Sequence, residues 1–171
     1  MATTRSTKLF LCLVMSGAVV MGSARFLSAA TATGTMPINA TVSANCTVTT
    51  TAVTFPAPYD PVVANAGANE DGTGNVQIVC TKGAGTSIAL NLGANALVNQ
   101  PRMKGPGAAD FLAYMLYSDS GRTVLWSGVT RAIAVATSKA AQNFVVYARI
   151  PSGQDVSVGT YLDTVTVTLN Y

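Results

Sequence analysis

Histidine is absent from all 171 residues of this chain, and that gap removes much of ordinary catalysis. Without it there is no Ser-His-Asp triad, no Cys-His nucleophile pair and no histidine-held metal. Charge is scarce as well. Asp, Glu, Lys and Arg make up 10% of the chain, where soluble domains carry about a quarter. A surface so poor in charge, and rich instead in Thr, Ala, Gly and Asn, suits a protein largely covered by copies of itself. Cysteine is limited to Cys12, Cys46 and Cys80.

What is present begins with an export signal, expected over residues 1–30. Arg5 and Lys8 form a basic n-region, and Leu9 to Val20 is an apolar run too short for a membrane span. Ser28 and Ala30 supply the small side chains wanted before a cleavage site, with Gly22 and Ala24 as an earlier alternative. Retention as an anchor is disfavoured by Arg25 and by the length of the run. Removing the signal takes away Arg5, Lys8 and Arg25, the whole of the +3 excess. The balanced remainder has no basic cluster to track phosphates, so no nucleic acid partner is expected. Cys12 leaves with the signal. Cys46 and Cys80 then form an even pair in an exported chain, which points to a structural disulfide and not to a zinc site lacking two ligands.

The mature chain is long enough for one domain with its own core. Its periodicity is that of strands. Met36, Ile38, Ala40, Val42, Ala44, Cys46 and Val48 alternate with polar residues, and Pro37 places the start of this run at an edge or outside regular pairing. Further strands are expected at 53–55, 75–80, 86–92, 111–117, 123–126, 143–150 and 161–171. Residues 60–74 and 93–109 read as loops rich in Gly, Asn and Pro, and 132–141 as helical turn, strand or loop. Short strands at this spacing indicate an all-β, two-sheet sandwich of immunoglobulin-like type. Trp126 does not follow the Cys–Trp–Cys spacing of antibody domains.

Catalysis finds no constellation. Asp110, Asp119, Asp155 and Asp163 sit beside turns or at strand ends, where Asp ordinarily caps. Glu70 and Asp71 lie in a stretch flanked by Asn and Gly. Ser138 and Lys139 lack any motif around them, and Gly83, Gly85 and Gly93 precede no helix that would bind phosphate. Asn39-Ala-Thr41 and Asn45-Cys-Thr47 match the N-glycosylation pattern, which is common by chance. No enzymatic activity, cofactor or metal is expected.

The chain resembles the spore coat protein U domain family, the domain of archaic chaperone–usher pilins. The likeness is carried by Val42-Ser-Ala-Asn-Cys46-Thr-Val48, Val76-Gln-Ile-Val-Cys80-Thr and Ile88-Ala-Leu90-Asn-Leu92-Gly93. It continues through Arg102-Met103, Leu112-Ala-Tyr114-Met-Leu116-Tyr117-Ser-Asp119 and Trp126-Ser-Gly128. It closes on Gly159-Thr-Tyr161-Leu-Asp163-Thr-Val165-Thr-Val167-Thr-Leu169-Asn-Tyr171. One departure is Pro56, where the family tends to have Gly after the Phe.

The resemblance implies a sandwich lacking one strand and completed by donor-strand exchange. Residues 31–44 would be the donor extension, with Met36, Ile38, Ala40 and Val42 entering a neighbour's groove, and 45–171 the pilin domain. The residues alone leave open whether 35–42 is instead the domain's own first strand. Val165, Val167, Leu169 and Tyr171 would form the terminal strand that pairs with a periplasmic chaperone. Tyr161 is expected to pack near a corner, and Asp163 to accept a turn hydrogen bond. The implied partners are copies of itself, that chaperone and an outer-membrane usher. The implied role is a surface fibre, or pilus, supporting adhesion and biofilm formation. A secreted adhesin or coat binding protein of the same fold is the alternative.

Overall fold

A computed structural model describes residues 28–171. Most of the expected signal peptide therefore lies outside the described residues. The chain divides into two units, Met1–Asn39 and Ala40–Tyr171, and each is treated by itself. Residues 28–39 of the first unit carry no regular secondary structure and are exposed.

The second unit is all β. Nine strands are formed: β1 (Cys46–Thr54), β2 (Glu70–Cys80), β3 (Thr86–Leu90), β4 (Arg102–Lys104), β5 (Phe111–Ala113), β6 (Met115–Tyr117), β7 (Thr130–Ile133), β8 (Gln142–Ile150) and β9 (Val167–Asn170). They make a four-stranded sheet in the order β1-β2-β8-β6, a three-stranded sheet β7-β3-β9 and a two-stranded ribbon β4-β5, with every strand pair antiparallel. The immunoglobulin-like sandwich is thus present, with the ribbon as an addition to the two expected sheets.

Period two sets the core. Val76, Ile78 and Cys80 of β2, Ile88 and Leu90 of β3, and Val146, Ala148 and Ile150 of β8 are buried in one cluster. Trp126 is fully buried at its centre and donates its indole N–H to the Ile88 carbonyl at 3.3 Å. Alternation along each strand aims these side chains inward while their neighbours face out.

Several element boundaries differ from the sequence reading. Strand β1 takes up the long alternating run only from Cys46, and it extends to Thr54 with a shift of register after Thr51. β2 starts at Glu70, inside a stretch that reads as loop because of Gly72 and Gly74. Those glycines belong in the strand because β1 shifts register between Thr51 and Thr54 and swings close. A Cβ at Gly72 would lie 2.5 Å from the Thr54 carbonyl oxygen and 2.7 Å from the Phe55 ring. Gly here permits close approach of two backbones.

The turn after β6 lies in the gap that the sequence reading leaves between residues 117 and 123. Arg122, not Gly121, takes the left-handed conformation, at φ 55°. Its guanidinium is pinned on three sides: Nε donates to the Ala148 carbonyl at 3.1 Å, Nη1 to the Ser120 carbonyl at 3.2 Å, and Nη1 pairs with Asp71 at 3.2 Å. Asp119 caps the same turn, accepting from the Thr123 and Val124 amides. Those bonds, the Val124 amide first, hold its carboxyl below the usual range.

Candidate functional site

Between the two sheets lies an open groove of about 410 Å³. One rim is β1 with Phe55 after it, and the other is residues 161–167. Val76, Leu90, Leu116 and Val146 reach its floor from the core. β1 is the reason it stays open. The strand pairs with β2 on one side only. Its positions opposite buried Ile78 and Val76 are Val48 and Thr50, yet both remain exposed. At these two positions the inward face of β1 is left uncovered by the described residues.

The second rim is also an unpaired edge. From 162 to 166 the even-numbered residues are taken. Leu162 exchanges main-chain bonds with Lys104 at 2.8 and 3.0 Å, Thr164 accepts from the Ala94 amide at 3.0 Å, and Thr166 accepts from the Asn91 amide at 3.1 Å. The Thr166 amide donates to Asn91 Oδ1 at 2.8 Å. In an extended chain the N–H and C=O of one residue point to one side and those of the next to the other. The main-chain groups of Asp163 and Val165 therefore face the groove side. β9 continues this edge, pairing with β3 and with no other strand among the described residues.

A polar cluster fixes the rim. Asp163 accepts from Tyr114 Oη at 2.6 Å, from the Asn95 amide at 3.1 Å and from Asn95 Nδ2 at 2.9 Å. Tyr114 is 5% exposed. Burial first, then the Asp163 carboxylate, pushes its phenol well above the ordinary tyrosine value. Gly93, at φ 91°, leaves room for the pair, since a Cβ there would meet both Asp163 and the Tyr114 hydroxyl. Tyr161 donates to the Ser157 carbonyl at 2.8 Å, tying the entry of the rim to the turn before it.

The expected site residues fall into three groups. Val165 and Val167 line the groove and are half-buried, Leu169 packs on the core beyond it, and Tyr171 is exposed past the end of β9. Met36, Ile38 and Val42 are 83%, 89% and 80% exposed, and Ala40 is exposed with them. None of the four belongs to the core cluster of buried side chains. Cys46 and Cys80 are bonded and stand directly opposite each other in the β1–β2 register. Val53, Phe55, Met103 and Tyr114 also line the groove. No local pattern shows that these four share a groove, because its walls come from segments far apart in the chain.

No catalytic grouping is assembled from the expected carboxylates. Asp119 caps a turn, Asp163 holds Tyr114, and Asp110 accepts from Ser157 Oγ at 3.1 Å. Asp71 pairs with Arg149 and Arg122. Among the described residues no three His, Cys, Asp or Glu side chains gather as metal ligands would.

Known proteins resemble this chain along most of its length. The Spore Coat Protein U domain family matches residues 32–168. Protein U of Myxococcus xanthus is 32% identical over 159 residues, covering 84% of this chain and 87% of that protein. A solved chain comes from the CsuC–CsuE chaperone–tip adhesion subunit pre-assembly complex of the archaic chaperone–usher Csu pili of Acinetobacter baumannii. It is 26% identical, with a TM-score of 0.59 over 77% of this chain. The match spans 40% of that solved chain. With its match running from residue 32 to 168, the chain belongs to the Spore Coat Protein U domain family.

Proposed function

We propose that the mature chain is a structural, non-catalytic subunit of a surface fibre, joined head to tail by donor-strand complementation. The observation that carries this reading is a mismatch within one chain. The domain has an apolar groove between two unpaired edges, and the preceding residues supply an exposed apolar alternation that nothing among the described residues buries. A neighbour's Met36, Ile38, Ala40 and Val42, in a segment running between β1 and the 161–170 edge, would answer both needs. This is β-augmentation, in which main-chain bonds extend the sheets and alternate side chains fill the groove. Each large side chain so buried contributes about 1.5–3 kcal/mol.

The same groove suits a periplasmic chaperone acting first, with Val165, Val167, Leu169 and Tyr171 as the edge it pairs with. The solved relative in a chaperone complex supports that order. An outer-membrane usher would then pass the subunit to the cell surface, where the fibre serves adhesion and biofilm formation. The family's description as a spore coat domain favours a coat subunit as the second reading.

The test is a charge placed on each face of the donor. Ile38→Asp should abolish the ladder of SDS-resistant multimers in unheated surface extracts, because an unpaired charge in an apolar groove costs several kcal/mol. It should leave chaperone-bound monomer in the periplasm. Asn39→Asp, on the outward face, should assemble nearly normally. Loss of the monomer in Ile38→Asp would place Ile38 in the subunit's own core, and equal defects in both would overturn the register. A stable, well-behaved monomer of the mature chain alone would favour the coat or adhesin reading.

A further inference from the structure

A donor tethered to its own domain is at millimolar effective concentration or above, so its first competitor is the subunit that carries it. The chain is long enough for that capture. A three-residue hairpin loop at Ser43-Ala44-Asn45 would lay the donor antiparallel along the free edge of β1. Val42 would then face Cys46, Ala40 would face Val48, Ile38 would face Thr50 and Met36 would face Ala52. Thr50 and Ala52 line the groove. The apolar set would also fall on the inward face, because Val48 and Thr50 pair with buried Ile78 and Val76. Spacing alone therefore does not prevent the subunit from closing on itself.

We propose that Thr81 is a positioning residue that prevents this closure by holding Ser43–Asn45 in line with β1. The inference rests on the donor reading above. The Thr81 amide donates to the Asn45 carbonyl at 2.9 Å, and the Asn45 amide donates to Thr81 Oγ1 at 3.1 Å. The hydroxyl proton is shared between the carbonyls of Asn45 at 3.3 Å and Ser43 at 3.5 Å. These bonds continue the β1–β2 register one pair beyond Cys46 and Cys80, whose disulfide anchors the clamp. The three residues that a self-inserting hairpin must reverse are those that Thr81 keeps extended. The hydroxyl, accepting on one side and donating on the other, holds both the amide and the carbonyls, which neither Val nor Ala can do.

The experiment follows uptake of a labelled synthetic peptide of residues 35–44 by the mature chain with its disulfide closed. Thr81→Val and Thr81→Ala should raise the monomer fraction that refuses the peptide by about tenfold, the equivalent of one or two net hydrogen bonds. Thr81→Ser should match the unmodified chain. Adding Ile38→Asp to Thr81→Val should restore uptake, because the chain's own donor can no longer occupy the groove. Unchanged uptake in both hydroxyl-free variants would overturn the clamp. So would a loss that Ile38→Asp does not reverse, since that means a damaged groove. If Ile38→Asp alone leaves fibre assembly intact, the donor reading itself fails, a result separate from either of these.

Discussion

Removing the Asp163 carboxylate should loosen the groove rim by an amount the structure allows one to estimate. Asp163→Ala deletes one bond to a phenol and two to Asn95. Tyr114, a residue only 5% exposed, is then left with an unpartnered hydroxyl. A hydrogen bond to a charged group contributes about 1.5–3 kcal/mol, and an orphaned buried donor costs about 1–3 kcal/mol. The deletion also removes the desolvation cost of the half-buried carboxylate, so the net loss should be about 3 kcal/mol. Tyr114→Phe should cost about 1.5 kcal/mol, since Asp163 keeps its bonds to Asn95. The assay is urea unfolding of the subunit complemented with the 35–44 peptide, disulfide intact, for both single variants and the double. A shared bond requires the double variant to cost less than the sum, with a coupling of at least ~1 kcal/mol. Simple additivity, with coupling under ~0.5 kcal/mol, would refute the claim that this pair holds the rim.

Two further outcomes are expected. The Tyr114 phenol is raised above its unfolded value of 10.0, so its contribution is complete below pH 10 and is lost as pH climbs past it. Stability measured from pH 9 to 12 should fall more steeply in the unmodified protein than in Tyr114→Phe. Thiol titration of denatured, unreduced periplasmic protein should find no free thiol. Replacing Cys46 or Cys80 by Ser opens a crosslink across a sequence separation of 34 and should cost about 4 kcal/mol.

Much of the sandwich was legible because alternation is a local property. Val76, Ile78 and Cys80, or Val146, Ala148 and Ile150, announce an inward face without knowledge of any partner. Alternation does not say where pairing starts. The run from Met36 to Val48 reads as one strand, but only the part from Cys46 finds β2 beside it. The final run shows the same limit. Residues 161–171 alternate throughout, while only Val167–Asn170 meets β3, because 162–166 is bonded to Lys104 at the end of β4 and to Ala94 and Asn91 in the loop after β3. Gly72 and Gly74 misled in the opposite sense, since their place in β2 is set by a bulge in the neighbouring strand. Phe55, Tyr114 and Tyr161 could not be assigned to the groove from sequence, because its walls come from segments far apart in the chain and alternation reports only local facing.

The position of the disulfide matters for how a fibre would carry load. In the proposed polymer, tension enters each subunit through the residues just before Cys46. Within its own chain β1 is hydrogen-bonded on one side only, and a strand held that way and pulled from its end unzips one bond at a time. Cys46 is instead welded to Cys80 directly across the ladder, so the pull passes covalently into β2, which has a neighbour on each side. Peeling cannot begin at that end, and the sheet is loaded in shear with many bonds sharing the force. Reduction of this one crosslink would turn a tensile joint into a zipper.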